Sequence, residues 1–162
     1  ALGIPALRKD FVVDPYQVWE ARAAGAAAVL LIVSAPGPHD LQRLLQSTRE
    51  AGLDALVEVH SAEEAALAVE TGATIVGVNA RDLRTFEVDR SAFASVRSAL
   101  PGGILTIAES GIGGPEDVRY AALEGADAVL VGEALVLAPD PRNAVALLVS
   151  AGAAPMTATE HR

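Results

Sequence analysis

Six short runs of aliphatic residues recur along the chain, at Ile4–Leu7, Ala28–Val33, Ala55–Val59, Thr74–Val78, Ile104–Ala108 and Ala128–Val131. Each is nearly unbroken in apolar character rather than alternating, the pattern of a parallel strand covered on both faces. Helical patterns separate them. Pro15–Ala24 follows Asp14 as N-cap, with Pro15 at the first helical position. Asp40–Ala51 comes next, then Ser61–Glu70, where Ser61 and Glu64 have the spacing of a capping box. Arg90–Leu100 can be capped by Asp89, and Pro115–Glu124 and Pro141–Val149 complete the series. Strand starts lie roughly 20 to 30 residues apart, the size of one βα unit. With right-handed crossovers, such a series builds either a doubly wound sheet or a barrel.

At 162 residues the chain suits one domain. It is short for a complete eight-unit barrel, which takes about 250 residues. It opens on Ala1-Leu2-Gly3-Ile4-Pro5, which reads as an entry into mid-domain. Residues 1–151 read as the domain and 152–162 as a flexible tail. A net charge of −9 argues against nucleic acid and against an anionic membrane surface as partners. A buried anion site stays open, because backbone amides and one or two cations suffice for it. The absence of cysteine excludes disulfides and thiolate metal sites and is compatible with a reducing cytoplasm. His39, His60 and His161 lack metal-ligand spacing, and no metal is expected.

In both parallel architectures chemistry sits beyond the carboxyl ends of the strands. Lys9 stands after the first run and is the single lysine, against 11 arginines. Lysine, unlike arginine, can give up its proton when its surroundings favour the neutral form. Glu58 lies inside an apolar strand and needs a partner, as a reactive carboxylate or as half of a structural ion pair. Asn79 and Arg81 follow the fourth run, and Glu109 the fifth. Ser110-Gly111 and Gly132-Glu133 follow the last two runs, where barrels commonly bind phosphate through loop amides and a short extra helix; Glu133–Leu137 is the candidate for that helix. The Glu133 carboxylate is then expected to turn away from the anion. His60 reads as a helix-entry residue, and Tyr16 with Trp19, on one helical face, as packing.

Taken together, these strings resemble one family. Leu7-Arg8-Lys9-Asp10-Phe11 with Asp14-Pro15-Tyr16-Gln17 is similar to the third strand and helix of indole-3-glycerol-phosphate synthase. Leu56-Val57-Glu58-Val59-His60 resembles its fifth strand. Val78-Asn79-Ala80-Arg81-Asp82-Leu83 with Thr85-Phe86 resembles the loop after its sixth. Ala108-Glu109-Ser110-Gly111-Ile112 and Leu130-Val131-Gly132-Glu133-Ala134-Leu135 resemble the ends of its seventh and eighth. Two departures stand out: Ala80 replaces a usual Asn, and the family's first two strands, with a glutamate, a lysine and part of the phosphate loop, have no counterpart.

The resemblance implies an α/β fold, a (β/α)8 TIM barrel truncated at the N-terminus, with about six of eight βα units. It implies a cytoplasmic lyase of tryptophan biosynthesis that uses no cofactor. The reaction is the decarboxylating ring closure of 1-(2-carboxyphenylamino)-1-deoxy-D-ribulose 5-phosphate to indole-3-glycerol phosphate. Lys9, Glu58, Asn79 and Glu109 are then catalytic: Lys9 the general acid, Glu58 the candidate base, Glu109 a group orienting Lys9 or the substrate amine, and Asn79 a holder of a hydroxyl or carboxylate. Arg81 and Ser110 would bind the substrate, and Ser110, Gly111, Gly132 and Glu133 its phosphate. Other readings are a phosphate-binding barrel isomerase or epimerase, and a non-catalytic partial barrel that pairs with another chain through open edges. Those edges are expected at Ile4–Leu7 and Ala128–Val131, leaving the chain inactive alone.

Overall fold

The structure, a computed structural model, describes residues 3–35, 38–82, 85, 87–89 and 91–153. The order of elements is β1 (Leu7–Arg8), α1 (Pro15–Ala23), β2 (Ala28–Ile32), α2 (Pro38–Glu50), β3 (Asp54–Val59), α3 (Ala62–Glu70), β4 (Ile75–Asn79), α4 (Ala92–Ala99), β5 (Leu105–Glu109), α5 (Pro115–Leu123), β6 (Ala128–Leu130), α6 (Glu133–Val136) and α7 (Pro141–Ala153). All strand pairs are parallel, and the six strands lie side by side in chain order. This sequential order selects the barrel over the doubly wound sheet, whose strand order reverses at a switch point. The result is a partial barrel, with β1 and β6 as its two edges. The gap therefore falls between the strands expected to flank it.

Alternation along the strands separates two cores. Val29, Leu31, Val57, Val59, Val76 and Val78 point outward and pack with helix residues such as Val18, Leu41, Leu44, Ala65 and Phe93. Leu30, Ile32 and Leu56 gather with Leu7, Ile75, Ile107 and Leu130 on the inner face. Helix starts follow local chemistry. Asp14 accepts the Tyr16 N–H at 2.8 Å, and the Gln17 side chain accepts the Asp14 N–H in return at 3.1 Å. Ser61 accepts the Glu64 N–H at 3.2 Å, but Glu64 reaches past it to the N–H of His60 at 2.8 Å.

Three expectations change. Tyr16 and Trp19 are 70% and 47% exposed rather than packed, because α1 buries Val18 and Ala21 and the aromatic pair sits on its other side. Ser91 rather than Asp89 is the N-cap of α4, and Asp89 instead accepts the Ser91 N–H and hydroxyl at 2.9 and 2.7 Å; Arg90 lies outside the described residues. The last helix runs on to Ala153, with Gly152 close against Val118. Residues 154–162 of the expected tail lie outside the described residues, as do Leu83 and Phe86.

At the amino-terminal rim of the sheet the helices are tied by long-range bonds. Arg49 at the end of α2 donates to the Gly72 carbonyl at 2.9 Å, and Arg97 at the end of α4 donates to the Gly125 carbonyl at 3.2 Å. Each arginine thus reaches the carboxyl end of the next helix, where a cation meets the negative pole of the helix dipole. Asp127 accepts both the N–H and the hydroxyl of Thr106, at 2.8 and 3.0 Å.

Candidate active site

The opposite rim carries a different population. Lys9 follows β1, Glu58 lies one residue before the end of β3, and Asn79 and Glu109 close β4 and β5. The register sets Glu58 beside Gly77 and Asn79 beside Glu109. Strand alternation turns all of these toward the inner face.

Lys9 Nζ lies 3.4 Å from Glu58 Oε2 and 3.6 Å from Glu109 Oε2. The ammonium is half exposed, while both carboxylates are buried. Asn79 Nδ2 donates to Glu58 Oε1 at 2.9 Å. Its Oδ1 accepts the Ser110 hydroxyl at 2.7 Å and the Arg81 N–H at 3.0 Å. With donor and acceptor both engaged, the amide has one orientation.

Neither oxygen of Glu109 accepts a hydrogen bond. Burial raises its carboxyl to about 7, the Glu58 charge adds to the rise, and Lys9 opposes it. Burial and a like charge both favour the protonated form of Glu109, and the facing ammonium is not enough to reverse them. The space for Glu109 comes from Gly77. A Cβ there would lie 1.9 Å from Glu109 Oε1 and 3.2 Å from Leu56 Cδ1. Gly77 was not among the expected site residues. The signal was a lone glycine inside Ile75-Val76-Gly77-Val78, the mark of a close approach within a strand.

Beyond β5 the backbone turns sharply. Ser110 has φ 63°, the one positive value for a non-glycine among the described residues, and Gly111 follows at 72°. A serine held there costs about 1 kcal/mol or more, and its bond to Asn79 holds it in place. The pairing of Glu109 with Leu130 brings the turn at Ser110-Gly111 to the same end of the sheet as Val131-Gly132, which follow β6 and lead into α6 at Glu133. The four-residue α6 matches the short helix expected there. The Glu133 carboxylate faces Arg81, Oε2 to Nη2 3.1 Å, in a pair that joins the loop after β4 to the one after β6. His60, just past β3, sits closer to this centre than a helix-entry role requires. Its Nε2 is 3.4 Å from Glu58 Oε1 and its Nδ1 is 3.3 Å from Glu64 Oε2.

The family model for indole-3-glycerol phosphate synthase matches residues 1–148. The chain belongs to the indole-3-glycerol phosphate synthase family. It is 57% identical over 155 residues to the indole-3-glycerol phosphate synthase of Kineococcus radiotolerans and 56% identical over 155 residues to that of Mycolicibacterium vanbaalenii. Each match takes in 96% of this chain and 57% of the relative, so the chain spans little more than half the length of these synthases. Among solved structures it is similar to orotidine 5′-phosphate decarboxylase from Pyrococcus horikoshii, with a TM-score of 0.70 and 21% identity over 93% of this chain and 74% of the other. A mandelate oxidase variant gives a TM-score of 0.72 and 22% identity over 93% and 60%. At these identities the likeness establishes the barrel fold alone.

Proposed function

We propose that the protein built on this chain carries out the synthase reaction, the decarboxylating ring closure of 1-(2-carboxyphenylamino)-1-deoxy-D-ribulose 5-phosphate to indole-3-glycerol phosphate. The observation that carries the reading is one half-exposed lysine facing two buried carboxylates at strand ends, in a member of this family. Ring closure needs a proton on the ketone oxygen, and Lys9 is the acid at the mouth of the site. The same ammonium attracts the substrate carboxylate before it leaves as carbon dioxide. Loss of water then needs a base for the proton on the adjacent carbon, and Glu58 is that base. Glu109 holds Lys9 in line. Asn79 fixes Glu58 and, through Ser110, the turn beneath the anion.

The phosphate lies on the backbone N–H groups of Ser110, Gly111, Gly132 and Glu133, with Arg81 turned from Glu133 toward the substrate. The two-sided opening at β1 and β6 favours pairing with two further βα units or with another chain. Among the described residues no helix is long and apolar enough to cross a membrane, and biosynthetic chemistry of this kind suits the cytoplasm. The test is turnover. Joined to two upstream βα units from a relative, the chain should convert the arylamino ribulose phosphate with release of one carbon dioxide per indole formed. A closed barrel that leaves this compound intact, yet isomerises an aldose or ketose phosphate, would move the protein to the isomerase class.

A further inference from the structure

His60 is positioned for more than helix entry. Glu64 Oε2 accepts the His60 main-chain N–H at 2.8 Å and lies 3.3 Å from Nδ1 of the ring. Both ring nitrogens face a carboxylate, but Nδ1 alone meets its own in hydrogen-bond geometry, which places the ring proton of a neutral His60 on Nδ1. That leaves Nε2 as a bare lone pair. It is buried, lacks a hydrogen-bond donor, and faces Glu58 Oε1 at 3.4 Å. An orphaned acceptor aimed at a carboxylate is unfavourable while that carboxylate is ionised and becomes a hydrogen bond once it carries a proton. The other neighbours of Glu58 are less suited to take that proton. Asn79 is an amide with both functions engaged, and Lys9 stands at the mouth where the substrate must lie. Exposure rises along the series, from Glu58 at 1% through His60 at 18% to Glu64 at 25%.

We propose that His60 and Glu64 form a proton relay that returns Glu58 to its basic form after each dehydration step. The inference rests on the function assigned to Glu58 above. The Glu58 carboxyl passes its proton to Nε2, the Nδ1 proton moves to Glu64, and Glu64 releases it to solvent; because Nε2 is buried, the starting tautomer returns when the ring turns, after product has left, far enough for Nε2 to give its proton to solvent and Nδ1 to regain one. Ring closure and departure of the hydroxyl consume two protons, and the carbon adjacent to nitrogen yields one. Each turnover therefore takes up one proton net, matching loss of the substrate carboxylate as neutral carbon dioxide. Uptake occurs on the mouth side through Lys9, and release from Glu58 on the α3 side through His60. The relay separates the two flows, so that a substrate covering Lys9 does not trap the proton on the base. His60 acts through Glu58 and does not touch the substrate.

Two measurements decide this independently. In the 162-residue chain, nitrogen NMR of the His60 ring should show Nδ1 protonated and Nε2 bare, with the Nε2 resonance moving when Glu58→Gln is introduced. An Nε2–H tautomer, or a ring indifferent to Glu58→Gln, would overturn the relay whatever the barrel turns over. In a closed barrel, His60→Ala should lower kcat about 10-fold or more with KM nearly unchanged, and added imidazole should restore much of it. His60→Gln keeps the bulk and should show the same loss without a fall in stability. Failure of imidazole to rescue, or an equal further loss when His60→Gln is placed on Glu58→Gln, would assign His60 a structural role only. A barrel inactive on the arylamino ribulose phosphate would sink the ring-closure reading, and the NMR result would then decide by itself whether His60 and Glu58 exchange a proton.

Discussion

The two rims of the one sheet are built to opposite rules. At the amino-terminal rim every polar contact described is locally satisfied: Arg49 on the Gly72 carbonyl, Arg97 on that of Gly125, and Asp127 on both donors of Thr106. At the carboxyl rim Glu109 and His60 Nε2 are buried without hydrogen-bond partners, and Ser110 sits in the left-handed region. Groups left wanting partners weaken a fold. Satisfied polar groups thus stand at one end and buried unsatisfied ones at the other of strands β3 to β5, which are only five or six residues long.

The largest effect expected tests whether the carboxyl rim can act within this chain alone. β1 and β6 leave open edges, and an eight-stranded barrel cannot close with six. The chain should not support growth of a tryptophan-requiring host that lacks the synthase, whereas supplying two upstream βα units should. Growth on the chain alone would show that the rim needs no closure.

Within a closed barrel, Lys9→Ala should reduce turnover about 10²-fold or more with a smaller change in substrate binding, while Arg97→Ala should leave kcat where it was. If both variants lost activity alike, the division between the rims would fail.

The next effect is read in stability. The Glu109 carboxyl, raised from 4.5 to about 7, favours the fold while it is protonated. That contribution is complete below about pH 4.5 and is lost as pH rises through about 7. Glu109→Gln cannot lose it, so the variant should gain on the order of 2 kcal/mol over the parent at pH 8 relative to pH 4.5. Denaturant unfolding at the two pH values measures this, and parallel curves would mean that Glu109 is not strained by its burial. Gly77→Ala should act through the same carboxylate. It pushes a methyl group into Glu109 and should cost about 1–3 kcal/mol, with activity falling too.

The smallest effect belongs to the other rim. Arg97→Ala removes a partly solvated bond to a helix end and should lower stability by about 1 kcal/mol at any pH from about 5 to 8. A loss confined to one end of that range would tie the two rims together electrostatically.

Much of this was legible in the chain because strand and helix periods are local. The six apolar runs became β1 to β6, and Asp14 and Ser61 are the N-caps of α1 and α3, although the box expected between Ser61 and Glu64 does not close because Glu64 takes the His60 N–H instead. Lys9, Glu58, Asn79 and Glu109 could be placed at strand ends because a strand's carboxyl end is visible in sequence. Their contacts were not, since those depend on register between strands that pair across some 20 residues or more. The same limit hid His60, whose interest lies in facing Glu58 two positions earlier across the end of β3. Tyr16 and Trp19 turned out exposed because a shared helical face does not say which way that face turns.

In β1 only Leu7 and Arg8 pair with the sheet, through Ala28 and Val29. Lys9 is thus mounted at the free end of a two-residue beam clamped on one side. The brace is Arg8, whose guanidinium donates to the Gln17 carbonyl at 2.9 Å and pairs with Glu20 at 2.5 Å on α1. Lys9 is therefore held from one side, while the two carboxylates it faces stand on β3 and β5, each paired with a neighbour on both sides. What Arg8 gives Lys9 is a second footing, on a helix rather than on the sheet.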